Sequence, residues 1–166
     1  MNDTLTIYET FSSIQGESTH AGRLCFFIRL AGCNLRCSYC DTRKAQTVSS
    51  GRIRSLDELV DEAERSGLRL IEITGGEPML QPETPELCRR LLERGFEVLM
   101  ETNGSVDLSA VPRGVRRIID WKTPFSGESE KMFDGNFLNL RPGDEVKFVI
   151  AGRNDYDAAL EVIRRF

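Results

Sequence analysis

Short apolar segments alternate along this chain with helical segments of roughly ten residues, and that alternation restricts the fold more than any single motif does. Leu5 to Phe11 and Cys25 to Leu30 read as strands, the second (CFFIRL) as a nearly continuous apolar run of the kind covered on both faces. Ser55-Leu56-Asp57-Glu58 carries the Ser and Glu of a capping box, opening a helix whose Leu56, Leu59, Val60 and Ala63 share one face and which Gly67 ends. Leu70 to Thr74 is the next strand, and a helix from about Pro85 to Arg94 closes at Gly95. Val98 to Glu101, Arg117 to Trp121 and Val146 to Ile150 complete the strands. Asn154 is placed to cap a last helix over Tyr156 to Phe166. Thr123 to Leu140 shows no clear periodicity.

Strands alternating with helices imply parallel pairing through right-handed crossovers, hence an α/β fold. A closed eight-fold barrel typically needs about 250 residues. About six strands and three helices in 166 residues therefore predict an open, partial barrel in one domain spanning 1–166. In such folds the loops after the carboxyl ends of the strands carry the chemistry. The segments that stand out are just there: the cysteine loop after Leu30, GGEP after Thr74, TNG after Glu101 and KTPFSGE after Trp121.

The formal charge of -4 disfavours nucleic acid as a partner, and no stretch is apolar for long enough to span a membrane. The polar start, MNDTLTIYETF, is unlike a secretory leader and predicts a cytoplasmic protein. Five cysteines, three of them within AGCNLRCSYCDT, suit a reducing compartment in which thiols serve metals or catalysis. Cys33, Cys37 and Cys40 lack a fourth ligand at zinc-finger spacing, since Cys25 lies inside a strand and His20 is the lone histidine. A cubane normally takes four thiolates. Three would leave one iron free for a small molecule, and ligand count and softness favour that reading over zinc or uncoordinated thiols.

Cys33-x3-Cys37-x2-Cys40 with Tyr39 resembles the signature of the radical S-adenosylmethionine superfamily, and Thr74-Gly75-Gly76-Glu77-Pro78 resembles its GGEP motif. The bland alternative for GGEP is a strand-to-helix turn with glycines at positive φ. Three further stretches, Phe11 to Glu17 (FSSIQGE), Phe27 to Cys33 (FIRLAGC) and Cys40-Asp41-Thr42, are similar to the 7-carboxy-7-deazaguanine synthase family. Asp120 to Pro124 and Ser126-Gly127 resemble that family's later cofactor-binding loop.

The resemblance implies a [4Fe-4S] cluster on Cys33, Cys37 and Cys40, with S-adenosyl-L-methionine chelated to the open iron and cleaved on one-electron reduction to a 5′-deoxyadenosyl radical. GGEP would hold the methionine amino group. The implied reaction contracts 6-carboxy-5,6,7,8-tetrahydropterin to 7-carboxy-7-deazaguanine with loss of ammonia, in queuosine and deazapurine biosynthesis. The cofactor is used catalytically and magnesium is required.

By the same resemblance Ile14, Gln15, Gly16, Arg29 and Thr74 bind substrate. Tyr39, Cys40, Asp41, Gly76, Asp120, Trp121 and Lys122 contact S-adenosylmethionine, and Thr42 binds Mg2+. The residues argue in the same direction. Arg29 interrupts an apolar strand and needs an anionic partner, which a substrate carboxylate would supply, unless it sits at a solvent edge. Gln15 can donate and accept at a lactam edge, or be an ordinary turn residue. Thr42 offers a hard oxygen to magnesium, or is a loop hydroxyl. Trp121 could equally be core.

Cys25 and Cys88 read as small buried hydrophobes and His20 as a turn residue. Glu72, Glu101 and Lys147 are candidates for inward polar contacts. A homodimer and a flavodoxin or ferredoxin reductant also follow from the resemblance. Family members commonly extend further, which implies either a truncated chain or a shortened relative, and a last helix without a C-cap glycine favours truncation. The rival readings are an activating enzyme for a glycyl-radical protein and a non-enzymatic metal-binding module.

Overall fold

The computed structural model describes residues 3–166. Seven strands form one sheet: β1 (Thr4–Ile14), β2 (Leu24–Leu30), β3 (Arg52–Ser55), β4 (Leu70–Gly75), β5 (Glu97–Thr102), β6 (Arg116–Trp121) and β7 (Glu145–Phe148). Their order is β3-β1-β2-β4-β5-β6-β7. From β2 to β7 every pairing is parallel, as the alternation predicts. At the other end β1 runs antiparallel to both β2 and β3. Two things were missed in the sequence: β3, a four-residue edge strand too short to show a period, and the antiparallel start that the β1–β2 hairpin imposes.

Four α-helices accompany the sheet: α1 (Leu56–Arg65), α2 (Thr84–Glu93), α3 (Asp134–Leu138) and α4 (Arg153–Arg165). The capping box of α1 forms as read, with Ser55 Oγ accepting from Glu58 N and the Glu58 carboxylate accepting from Ser55 N. Helix α3 lies within the aperiodic connector and spans a single turn or so. Helix α4 starts earlier than expected, after Gly152, and Asn154 lies inside it without capping. Asp155 instead accepts from Phe125 N at 2.9 Å and Ala151 N at 3.0 Å, fastening the start of α4 to the loop after β6.

The period-two alternation of the strands sorts the residues into two layers. Phe26, Ile28 and Leu30, with Ile71, Ile73, Val98, Met100 and Ile119, face the helices and pack on Leu56, Leu59, Val60, Leu87, Cys88 and Leu91. On the concave side Cys25, Phe27, Leu70, Leu99 and Ile118 form a second apolar layer, with Phe11 stacked on Phe27 at 4.9 Å. Further along the same strands the inward positions turn polar: Arg29, Glu72, Thr74, Glu101, Asp120, Lys122 and Lys147 border a cavity of about 550 Å³. The sheet is thus an open barrel with an apolar base and a charged upper half, and Cys25 and Cys88 are core residues, as expected.

Candidate functional site

The cysteine loop is built by its backbone. Gly32 N donates to Ala45 O at 2.8 Å and Cys33 N to Gln46 O at 3.1 Å, while Cys40 N closes a turn on Cys37 O at 3.2 Å. Arg36 straps the loop to itself through Nη1, which donates to Cys33 O and Leu35 O, both at 2.7 Å. Two further elements hold it from outside: Glu128 accepts from Arg36 N at 2.6 Å, and Ser38 N donates to Ser126 O at 3.0 Å. The three thiols are half-buried at the cavity wall and none is in a disulfide. Burial pushes the thiols of Cys33 and Cys37 up, so the bare loop favours neutral thiols and bound iron would have to draw the thiolates out.

GGEP fits this loop by close approach. A Cβ on Gly76 would lie 2.0 Å from Gly32 O, and one on Gly75, at φ +140°, 2.3 Å from Leu30 O. The two segments are joined where they touch: Gly76 N donates to Leu30 O at 3.1 Å and Glu77 N to Gly32 O at 2.8 Å. Positive φ at Gly75 accords with the simple turn reading, but the contact with the cysteine loop is what excludes a side chain from Gly76.

The Glu77 carboxylate is not offered to a ligand. It is fully buried, and it accepts from Met79 N (3.0 Å), Asn103 N (2.8 Å) and Thr102 Oγ1 (2.9 Å). Burial pushes it up while those donors pull it down. Its work is to fix the TNG loop, from which Asn103 Nδ2 reaches Cys33 Sγ at 3.7 Å and Asn34 Oδ1 at 3.0 Å. Asn103 and Glu128 are supports that were missed in the sequence reading, although both stood in segments flagged for their position.

All the expected site residues but one border the cavity: Ile14, Gln15, Gly16, Arg29, Cys33, Cys37, Tyr39, Cys40, Asp41, Thr42, Thr74, Gly76, Asp120 and Lys122. The exception is Trp121. Strand alternation turns Asp120 and Lys122 inward and Trp121 outward, where its ring meets Phe137 edge-on at 4.6 Å and Phe166 at 5.7 Å. Its side chain is core, and only its backbone is left for a ligand.

Arg29 already has an anionic partner, which the sequence argument did not foresee. Its Nε donates to Glu9 at 2.9 Å across the β1–β2 pair and its guanidinium lies 5.6 Å from the Phe11 ring centre. Nη1 is 3.4 Å from Thr42 Oγ1, which in turn donates to Asp41 at 3.0 Å. Gln15 is held at both ends of its carboxamide: Nε2 donates to Glu72, and Oε1 accepts from Glu17 N at 3.0 Å. Lys122 pairs with Asp120 at 2.7 Å, and that carboxylate keeps the ammonium above its ordinary value despite burial. The Tyr39 ring stacks near Phe125 at 6.1 Å with Lys122 Nζ 5.8 Å from its centre, and its buried hydroxyl has no partner among the described residues.

Among the described residues no three His, Cys, Asp or Glu side chains converge on a single metal ion. A cubane does not ask for that, because each thiolate binds its own iron. Three soft thiolates on a loop cradled by glycine, beside a polar cavity, fit a cluster with one open iron.

The family profile of the Radical SAM superfamily matches residues 27–166. A 7-carboxy-7-deazaguanine synthase from Koribacter versatilis is 44% identical over 163 residues, covering 97% of this chain and 71% of that protein. Another, from Methanospirillum hungatei, is 41% identical and covers 96% of this chain and 67% of its own length. The chain belongs to the 7-carboxy-7-deazaguanine synthase family. The crystal structure of QueE from Escherichia coli superposes with a TM-score of 0.83 over 98% of this chain and 79% of that one; at 23% identity it shows the shared fold. Membership in the radical SAM superfamily implies the [4Fe-4S] cluster and S-adenosylmethionine, and the observed cradle suits both.

Proposed function

We infer that this chain is a carbon–nitrogen lyase that converts 6-carboxy-5,6,7,8-tetrahydropterin to 7-carboxy-7-deazaguanine with loss of ammonia, in queuosine biosynthesis. The observation that carries this beyond family membership is the meeting, around one cavity, of the cysteine loop and GGEP with Arg29, Thr42 and Gln15. A cluster held by Cys33, Cys37 and Cys40 with S-adenosylmethionine bound to it would supply the one-electron radical chemistry that this conversion needs.

The protein's own part is positioning and exclusion. Cys33, Cys37 and Cys40 hold the cluster. The backbone at Gly76, with Tyr39, Asp41 and the Asp120–Lys122 pair, lines the cofactor's space; the carboxylate of Glu77 supports the wall from behind. Arg29, preset by Glu9, receives the substrate carboxylate, and Thr42 offers a hydroxyl to magnesium in reach of the same group. Gln15, Gly16, Ile14 and Thr74 meet the pterin. Magnesium, a homodimer and a flavodoxin or ferredoxin reductant rest on the family resemblance. A cytoplasmic location accords with five unpaired cysteines. No helix of the described residues is long and apolar enough to cross a membrane.

Anaerobically purified and reconstituted protein is expected to carry iron and sulfide and to form the deazaguanine acid only with S-adenosylmethionine and a reductant. Stoichiometric zinc without sulfide would favour a metal-binding module. Radical transfer to a glycyl-radical protein, with no turnover of the carboxypterin, would favour an activating enzyme.

A further inference from the structure

Among the described residues the sheet is open between its two edge strands, and β7 pairs only with β6. The β1–β2 loop, residues 15–23, reaches across to β7. Lys147 Nζ lies 2.7 Å from Glu17 Oε2, and Glu145 accepts from Thr19 Oγ1 at 2.6 Å and from Thr19 N at 3.1 Å. The same Lys147 ammonium pairs with Glu101 at the end of β5 and stands 3.8 Å from Asp120 on β6. One cation therefore gathers carboxylates from three separate elements. Without it Glu17 and Glu101 would have no counter-charge among the described residues, and Asp120 would keep only Lys122.

We propose that Lys147 is a positioning residue for the substrate: it draws the β1–β2 loop over the open side of the barrel and sets Glu101 against the cavity. The loop is short and internally closed, with Gln15 N donating to Arg23 O and Gly22 N to Gln15 O, both at 2.8 Å. A shift at Glu17 is thus passed to Gln15, whose Oε1 accepts from Glu17 N and whose Nε2 donates to Glu72. A lysine suits this place because its ammonium is a compact point charge with three donors on a flexible stem. Burial opposes the Lys147 charge, but Glu101, Asp120 and Glu17 outweigh it and hold the ammonium above the ordinary lysine value.

The assignment of the cavity to substrate rests on the proposed function; the latch itself does not. Its test compares wild-type holoenzyme with Lys147→Met, Lys147→Arg and Glu17→Gln by amide hydrogen exchange and by steady-state kinetics. Glu17→Gln removes the tie between Lys147 and the loop while leaving the Lys147–Glu101 pair and the Thr19–Glu145 bonds intact, so it reports on Lys147 even where Lys147→Met fails to fold. The expected result is faster exchange across residues 16–22 and a rise of about tenfold in KM for the carboxypterin, with S-adenosylmethionine affinity unchanged in Glu17→Gln and partial recovery of the loop in Lys147→Arg. Unchanged exchange in Glu17→Gln, or a parallel loss of its affinity for S-adenosylmethionine, would overturn the proposal. Exchange is read without turnover, so a wild-type protein that makes no deazapurine would defeat the functional reading and still leave the latch decided.

Discussion

Arg29 Nη1 stands 3.4 Å from the Thr42 hydroxyl, bringing the end of β2 and the end of the cysteine loop to one point in the cavity. Glu9 and Phe11 hold the guanidinium from the other side. The guanidinium is a fork already oriented, so on the proposed role as receiver of the substrate carboxylate its shape matters as well as its charge. Arg29→Lys is expected to lower kcat/KM about 10- to 100-fold through KM while leaving iron and sulfide content at wild-type levels, as steady-state assays and metal analysis would read.

Thr42 is the proposed oxygen donor to magnesium. Thr42→Val keeps the shape and removes the oxygen. Wild type is expected to gain activity across a magnesium titration and Thr42→Val is expected to gain none, while S-adenosylmethionine still binds. Stimulation equal to wild type would assign the hydroxyl to its hydrogen bonds with Asp41 and Arg29 alone.

Gly76→Ala would drive a methyl group into the backbone of the cysteine loop, since its Cβ would lie 2.0 Å from Gly32 O and 3.0 Å from Cys33 Cβ. The loop must move away, and the thiols move with it. Reconstituted Gly76→Ala is expected to hold clearly less iron and sulfide than wild type, with a far-UV circular dichroism spectrum that is unchanged.

Glu72 is buried on β4 between Gln15, Glu101, Lys147 and Glu17. Burial first, and then the Glu101 charge, push its carboxyl up to about 8, with Gln15 and Lys147 acting the other way. Folded protein thus holds this proton more tightly than unfolded chain, whose carboxyl titrates near 4.5. The cost of burying Glu72 is absent below about pH 4.5, grows as pH rises, and is complete above about 8. Glu72→Gln retains an acceptor for Gln15 and removes the titration. Denaturant melts should find it close to wild type at pH 5 and more stable by on the order of 1 kcal/mol at pH 8; a gap that does not widen with pH would contradict this.

Much of this was legible in the sequence because strand period and loop position are local properties. The alternation gave the parallel β2 to β7 series, and the loops at the strand ends contained the cavity residues. The outward turn of the Trp121 side chain was one of two readings left open, because the motif names three consecutive residues whereas a strand turns only alternate ones inward. Glu9 as the partner of Arg29, the Glu17–Lys147 and Thr19–Glu145 contacts between the β1–β2 loop and β7, and Glu77 as a brace for Asn103 all depend on contacts between separate segments, Glu17 and Lys147 being 130 positions apart. No spacing within one segment reports them.

The central claim, that this cavity carries out a radical ring contraction, is tested most directly by counting products. Reduced, reconstituted protein given 6-carboxy-5,6,7,8-tetrahydropterin in excess over S-adenosylmethionine should release 7-carboxy-7-deazaguanine and ammonia in equal amounts, and in excess of the S-adenosylmethionine consumed. Build-up of 5′-deoxyadenosine in step with cofactor loss, without deazapurine, would contradict it.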